Sequence, residues 1–157
     1  MFCTARHGFS LRSLYRRCRD KDQPALLIIN SNSHIALGAF LSHPPAVSES
    51  FTGTGESWLF SYKQERLRIF PWTGENNFIM QGNTQSLVVG AGQYHNHEPP
   101  SFRSYISGVA DNQGFGLWID ESLNRGRSHR VKTFNNDCLA EEEDFHINNL
   151  ELWLFQH

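Results

Sequence analysis

Charge of either sign is in short supply in this chain, and cysteine is scarcer still. Of 157 residues, 19% are Asp, Glu, Lys or Arg, and the formal net charge at neutral pH is −2. A dedicated nucleic-acid binder is usually clearly basic, so the near-neutral balance argues against that class. Cys3, Cys18 and Cys138 form an odd count with no Cys-x-x-Cys pair. That leaves no zinc-ligand spacing and argues against a disulfide framework. No apolar run approaches the ~18 residues of a membrane-spanning helix, the first residues carry no signal-peptide pattern, and Asn-x-Ser/Thr does not occur. Gly-x-Ser-x-Gly, His-Glu-x-x-His and a Gly-Lys-Ser/Thr phosphate loop are missing too. These absences predict a reduced, soluble, intracellular setting, no direct membrane insertion, no metal or cofactor, and no ready-made catalytic centre.

What the chain has in quantity is aromatic side chains: twelve Phe, four Trp and four Tyr, 13% of all residues. Each buries a large area, so a short chain can still build a core. Apolar residues at 39% and low net charge exclude a disordered polypeptide. The length excludes a TIM barrel and fits one domain over residues 1–157.

One helix is well signalled. Ser10 suits a cap, and Leu11, Leu14, Tyr15 and Cys18 follow at i, i+3, i+4 and i+7. Phe9 is placed to staple onto Leu14. Arg12, Arg16 and Arg19 take the opposite side, and residues 20–24 end the helix before Pro24. Strand patterns follow: Ala25–Ile29, a turn at Asn30–Ser33, then Ile35–Leu41, Trp58–Tyr62, Leu67–Phe70, Phe78–Met80, Leu87–Val89 and Phe115–Ile119. A long final strand is predicted over Phe145–Phe155, with Leu150, Leu152 and Leu154 on one face. Many short strands and few helices predict a mostly β, α+β fold: an antiparallel two-sheet sandwich flanked by a few short helices. Residues 93–113 lack periodicity and read as a long surface loop.

The candidate motifs are mostly turn chemistry. Gly53-Thr54-Gly55-Glu56-Ser57 precedes a strand and reads as a tight turn; a backbone nest or a positioned Glu56 carboxylate is the functional counterpart. Gly90-Ala91-Gly92 fails as a dinucleotide fingerprint because His95 takes the sixth position and no helix pattern follows. His95 and His97 fall one ligand short of a catalytic zinc site and read as exposed loop residues. Trp72, Trp118 and Trp153 read as core or corner residues. Cys138, among acidic neighbours, should be a poor thiolate, and Cys18 on the apolar stripe should be buried despite its arginine neighbours.

Charge is unevenly placed. Arg6, Arg12, Arg16, Arg17, Arg19 and Lys21 crowd the start, whereas Asp137, Glu141, Glu142, Glu143, Asp144 and Glu151 follow the last cation, Lys132. Two solvated faces or mutual neutralisation explain this; a polar partner surface is the sharper reading.

Taken in order, several strings resemble the TLDc domain, the module of the oxidation-resistance protein family. They are His7-Gly8-Phe9-Ser10-Leu11 leading into Leu14-Tyr15-Arg16, Gly38-Ala39-Phe40, Gly53-Thr54-Gly55-Glu56-Ser57 and Trp72-Thr73-Gly74-Glu75-Asn76. Then come Gly114-Phe115-Gly116-Leu117-Trp118-Ile119-Asp120, Leu123-Asn124-Arg125-Gly126-Arg127-Ser128, Thr133-Phe134-Asn135-Asn136 and Leu150-Glu151-Leu152-Trp153. The likeness covers nearly the whole chain apart from residues 93–113. The family's module starts further upstream, so the chain reads as an N-terminally short form. The family's glycine run leads directly into Phe-Gly-Leu-Trp; here an insertion near 93–113 parts them.

The resemblance implies a two-sheet sandwich, protection against oxidative stress and, from some members, binding and regulation of the vacuolar proton-pumping ATPase. It implies no established catalytic mechanism. On this reading the domain is a non-catalytic interaction module, cytoplasmic and recruited to endolysosomal membranes through pump subunits, with mitochondrial or nuclear pools also in view. Gly53, Thr54, Gly55 and Glu56 are the candidate binding turn; Glu141, Glu142, Glu143 and Asp144 are a candidate partner surface. The alternative is a weak enzyme or direct oxidant scavenger using Glu56 or Glu75 as acid or base, or a cysteine toward peroxide.

Overall fold

The computed structural model describes residues 1–32, 34–92 and 114–156. It opens on a short strand β1 (Phe2–Cys3) and a single-turn helix α1 (Thr4–His7), neither of which has a periodic signature in the sequence. Helix α2 (Leu11–Cys18) follows as predicted. The Ser10 Oγ accepts a hydrogen bond from the Ser13 N–H at 3.2 Å, and Leu11, Leu14 and Cys18 are buried. Phe9 does not close down on the helix as a staple; it stays 45% exposed.

The remaining described elements are strands: β2 (Ala25–Asn32), β3 (Ile35–Leu41), β4 (Trp58–Lys63), β5 (Arg66–Pro71), β6 (Met80–Gly82), β7 (Ser86–Ala91), β8 (Phe115–Asp120), β9 (Arg125–Arg127), β10 (Asp144–His146) and β11 (Asn149–Leu154). They form two antiparallel sheets, a six-stranded one in the order β1-β11-β2-β3-β4-β5 and a five-stranded one in the order β10-β9-β8-β7-β6. The predicted mostly β sandwich with few short helices is what the chain builds.

The core lies between the sheets. Leu27, Ile29, Leu37, Ala39, Leu59, Leu150 and Leu152 of the larger sheet meet Leu87, Val89, Leu117 and Ile119 of the smaller one. Val131, Phe134 and Leu139, from the loop after β9, complete the same cluster. Burial of such side chains contributes roughly 1.5–3 kcal/mol each and is the main force holding the layers together.

Three local expectations need correction. The turn placed at Asn30–Ser33 starts later, because β2 pairs with β3 out to Asn32↔Ile35. Phe78 precedes β6 rather than lying in it. The single strand expected over Phe145–Phe155 is two strands in different sheets, since β10 pairs with β9 whereas β11 lies between β1 and β2. The chain changes sheets at Ile147 and Asn148, whose N–H groups bond the Asn124 and Asn30 carbonyls, each at 2.8 Å. Residues 93–113, with His95 and His97, lie outside the described residues.

Candidate functional site

Three of the strings singled out in the sequence, at 53–57, 72–76 and 133–136, come together at one corner of the sandwich. Gly53 has φ +98°, a conformation open to glycine and strained for other residues. A Cβ at Gly55 would lie 2.2 Å from the Trp72 ring, so the indole sits directly on the glycine backbone. The turn is held from below: the Ser42 Oγ accepts from the Thr54 N–H at 2.9 Å, and the Ser57 Oγ accepts from the Ser42 N–H at 3.0 Å. Glu56 itself points to solvent.

Trp72 is locked in turn. Its Nε1–H donates to the Asn76 carbonyl at 2.7 Å. The Thr73 N–H donates to the Thr133 carbonyl at 3.0 Å, and the Thr73 hydroxyl lies 2.6 Å from the Lys132 carbonyl. Fully buried Thr133 is the hub: its hydroxyl accepts the Ala91 N–H at 3.0 Å and lies 2.7 Å from the Asn76 Oδ1. Fully buried Asn136 donates to the His129 and Asp137 carbonyls, both at 2.9 Å, and accepts from the Val131 N–H. Buried polar groups are tolerable when satisfied in this way. The corner is therefore a structural knot joining residues 53–57, 72–76, 91 and 131–136. Glu56 and Glu75 are both exposed, and neither lines any of the four cavities described in the fold.

The acidic segment lies elsewhere, on the rim at β10. Glu141, Glu142, Glu143 and Asp144 are all exposed. The Arg127 Nε–H donates to the Asp144 carboxylate at 2.5 Å, and the Glu143 carboxylate is 3.3 Å from the His129 Nε2. Arg68 meets Asp137 in a further ion pair. Underneath, the Lys63 ammonium donates to the Cys138 and Ala140 carbonyls at 2.9 and 3.0 Å. That clamp fixes the loop path, and no pattern in the sequence announces it. The acidic groups thus pair with Arg68, Arg127 and His129, and none of these pairs involves the basic cluster of residues 6–21.

Cys18 and Cys138 offer little nucleophilic chemistry. Burial pushes the Cys18 thiol up to about 11. The Cys138 thiol is also raised, chiefly by burial and only secondarily by Glu143, so the acidic neighbours are not the main cause. All three cysteines are free. Among the described residues no cluster of three or more His, Cys, Asp or Glu is arranged to hold a metal ion.

Trp153, expected in the core or at a corner, is 43% exposed on the outer face of the larger sheet. Trp72 is the corner residue, and Trp118 is half-buried with the Arg127 guanidinium 5.8 Å above its ring.

A family model described as the TLDc domain matches residues 1–156. The chain belongs to the TLDc domain family. It is 36% identical to nuclear receptor coactivator 7 of Mus musculus over 155 residues, which are 99% of this chain and 14% of that protein. It is also 36% identical to oxidation resistance protein 1 of Homo sapiens over 156 residues, which are 99% of this chain and 16% of that protein. The chain thus spans about one-seventh of the length of these curated relatives. In TLDc terms, the glycine, tryptophan and Thr-Phe-Asn-Asn strings meet at the corner. The Leu-Asn-Arg-Gly-Arg-Ser string supplies β9 and, through the Ser128 hydroxyl, a buried bond to the Gly116 carbonyl at 2.8 Å. No helix of the described residues is long and apolar enough to cross a membrane.

Proposed function

We propose that this TLDc domain is a non-catalytic interaction module that supports resistance to oxidative stress by binding and regulating the vacuolar proton-pumping ATPase. The observation that carries the reading is the use to which the family strings are put. Their polar groups are taken up by one another in the corner, while Glu56, Glu75 and the acidic segment are left on the surface. A catalytic carboxylate needs a pocket that holds substrate; Glu56 and Glu75 are exposed and line none of the four cavities described in the fold. Burial raises the Cys18 and Cys138 thiols and argues against either of these two as a peroxide scavenger, since the thiolate is the reactive form. The name of the relative oxidation resistance protein 1 supports the stress-related part of the proposal.

Mechanistically, a rigid sandwich presents the outer side of the Gly53–Glu56 turn and the Glu141–Asp144 rim to the pump. Binding one assembly state more tightly than another shifts the assembly equilibrium by that difference in affinity. The domain acts from the cytoplasm and reaches endolysosomal membranes through the pump.

Co-sedimentation of the purified chain with purified vacuolar ATPase tests this. The native chain should sediment with the pump, and the Glu141→Lys/Glu142→Lys variant should sediment less. Failure of the native chain to sediment with the pump overturns the proposal.

A further inference from the structure

A cavity lined by cations lies away from the corner and the acidic rim, between helix α2 and the segments at 46–47 and 84. Its volume is about 700 Å³, and its walls include Arg12, Arg16, Arg19, Tyr15, Val47 and Glu121. Arg12 and Arg16 lie four residues apart on the exposed face of α2, and Arg19 caps its C-terminal end; all three are exposed. None of them has a carboxylate within ion-pair distance among the described residues. Glu121 stands on the wall as a lone counter-charge to three guanidinium groups.

The groove is built rigidly. The Tyr15 hydroxyl lies 3.1 Å from the Asn83 carbonyl and 3.0 Å from that of Ser86, which ties the helix to the turn opposite. A Cβ at Gly82 would stand 2.6 Å from the same hydroxyl and 2.5 Å from the Ala46 carbonyl, so helix and loop meet with nothing between them. The N–H of Leu11 donates to the Glu121 carbonyl at 2.9 Å and fixes the helix's other end. Val47, 56% exposed, forms an apolar wall facing solvent.

We infer that this groove binds an acidic peptide segment in extended conformation, with carboxylates at alternate positions and apolar side chains between them. The spacing supports it. Arg12 and Arg16 are four residues apart on the helix, about 6 Å along its axis. Alternate side chains of an extended strand repeat at about 6.6 Å. Two carboxylates at i and i+2 can therefore each meet one guanidinium in the planar, two-point geometry that arginine favours. Val47 and the ring of Tyr15 offer the apolar contact that separates such a peptide from a bare anion. Nucleic acid fits less well, because the chain as a whole carries a net charge of −2 and Glu121 faces the site. The inference does not depend on the identity of the pump as partner, since it concerns a different surface and a peptide chemistry of its own.

Fluorescence anisotropy with the full chain and a labelled short peptide of alternating glutamate and leucine tests it. Saturable binding is expected, weakening as salt is raised. The Arg12→Glu/Arg16→Glu variant should bind about tenfold more weakly or worse. Its thermal unfolding should match the native chain, because both side chains are exposed. The Val47→Asn variant, which leaves the charge of the groove unchanged, should also bind more weakly, which mere charge attraction would not require. No binding of the glutamate–leucine peptide overturns the inference, as does equal binding by the arginine-reversed variant. Tighter binding of duplex DNA or of phosphatidylserine vesicles than of the peptide overturns it as well.

Discussion

At strands β6 to β8 of the five-stranded sheet both faces are largely covered, whereas the six-stranded sheet has its inner face buried and much of its outer face exposed. Every residue of β7 is buried, and on the outer side Val88, Ala91 and Phe115 pack against Phe51, Phe78 and Trp118. The larger sheet carries an equally apolar outer face with much less over it. Its register aligns Trp153, Leu26, Phe40, Trp58 and Pro71 across five strands, with Phe40 and Trp58 stacked at 5.3 Å. Tyr62, Leu67, Ile69, Trp153 and Phe155 on this side are 42–56% exposed. Apolar sequence alone therefore does not decide burial; what lies against the strand decides it. The smaller sheet is tied to the corner through Ala91, and substitutions on the outer face of the larger sheet should be tolerated better than those in the smaller sheet.

The comparison can be tested by substitution, starting in the smaller sheet. Leu117→Ala in β8 removes a fully buried side chain and should cost about 2–5 kcal/mol by urea unfolding. Thr133→Val keeps the shape but leaves the buried Ala91 N–H without its acceptor, at a cost of about 1–3 kcal/mol in the same measurement. The double variant Thr133→Val/Asn76→Ala should lose less than the sum of the two single losses if the corner acts as one network, because the Asn76 Oδ1 lies 2.7 Å from the Thr133 hydroxyl.

A third test uses pH. The Cys18 thiol is raised from its ordinary value of 9.0 to about 11 by burial, so the folded state holds its proton where the unfolded chain has lost it. Its contribution is fully present below pH 9 and is lost as pH rises through 11. Stability followed by circular dichroism should fall over that window, and Cys18→Ala should fall less. The smallest effect belongs to the open face: Ile69→Thr, at a site 51% exposed, should change stability by no more than about 0.5 kcal/mol. A loss comparable with that of Leu117→Ala would erase the contrast between the sheets.

Part of this was legible in the sequence. Strand β3 and helix α2 stand at the boundaries their patterns indicate, because each is long enough to show a period and is bounded by turn or cap residues. Strands β1 and β9 and helix α1 are two to four residues long and leave no period to read. The exchange of sheets at Ile147 shows in the sequence only as a change of phase across Asn148-Asn149, from Phe145 and Ile147 to Leu150, Leu152 and Leu154, while the backbone bonds that break the ladder go to Asn124 and Asn30. The corner's strings were legible as turns, but their convergence was not. Asn76 and Thr133 are 57 residues apart, and neither carries a local mark of the other. The exposure of Trp153 was hidden for a related reason, since its neighbours Leu26 and Phe40 are as apolar as any core residue.

Hydrogen–deuterium exchange of the chain, alone and saturated with purified vacuolar ATPase, most directly tests the central claim that the family strings build an inner knot while the charged rim meets the partner. The account predicts slow exchange at the Ala91 and Val131 amides in both states, with new protection on binding over residues 141–144 and the 53–56 turn. Fast exchange at Ala91 and Val131 in the free chain, or binding that protects the corner's interior and leaves the rim unchanged, would contradict it.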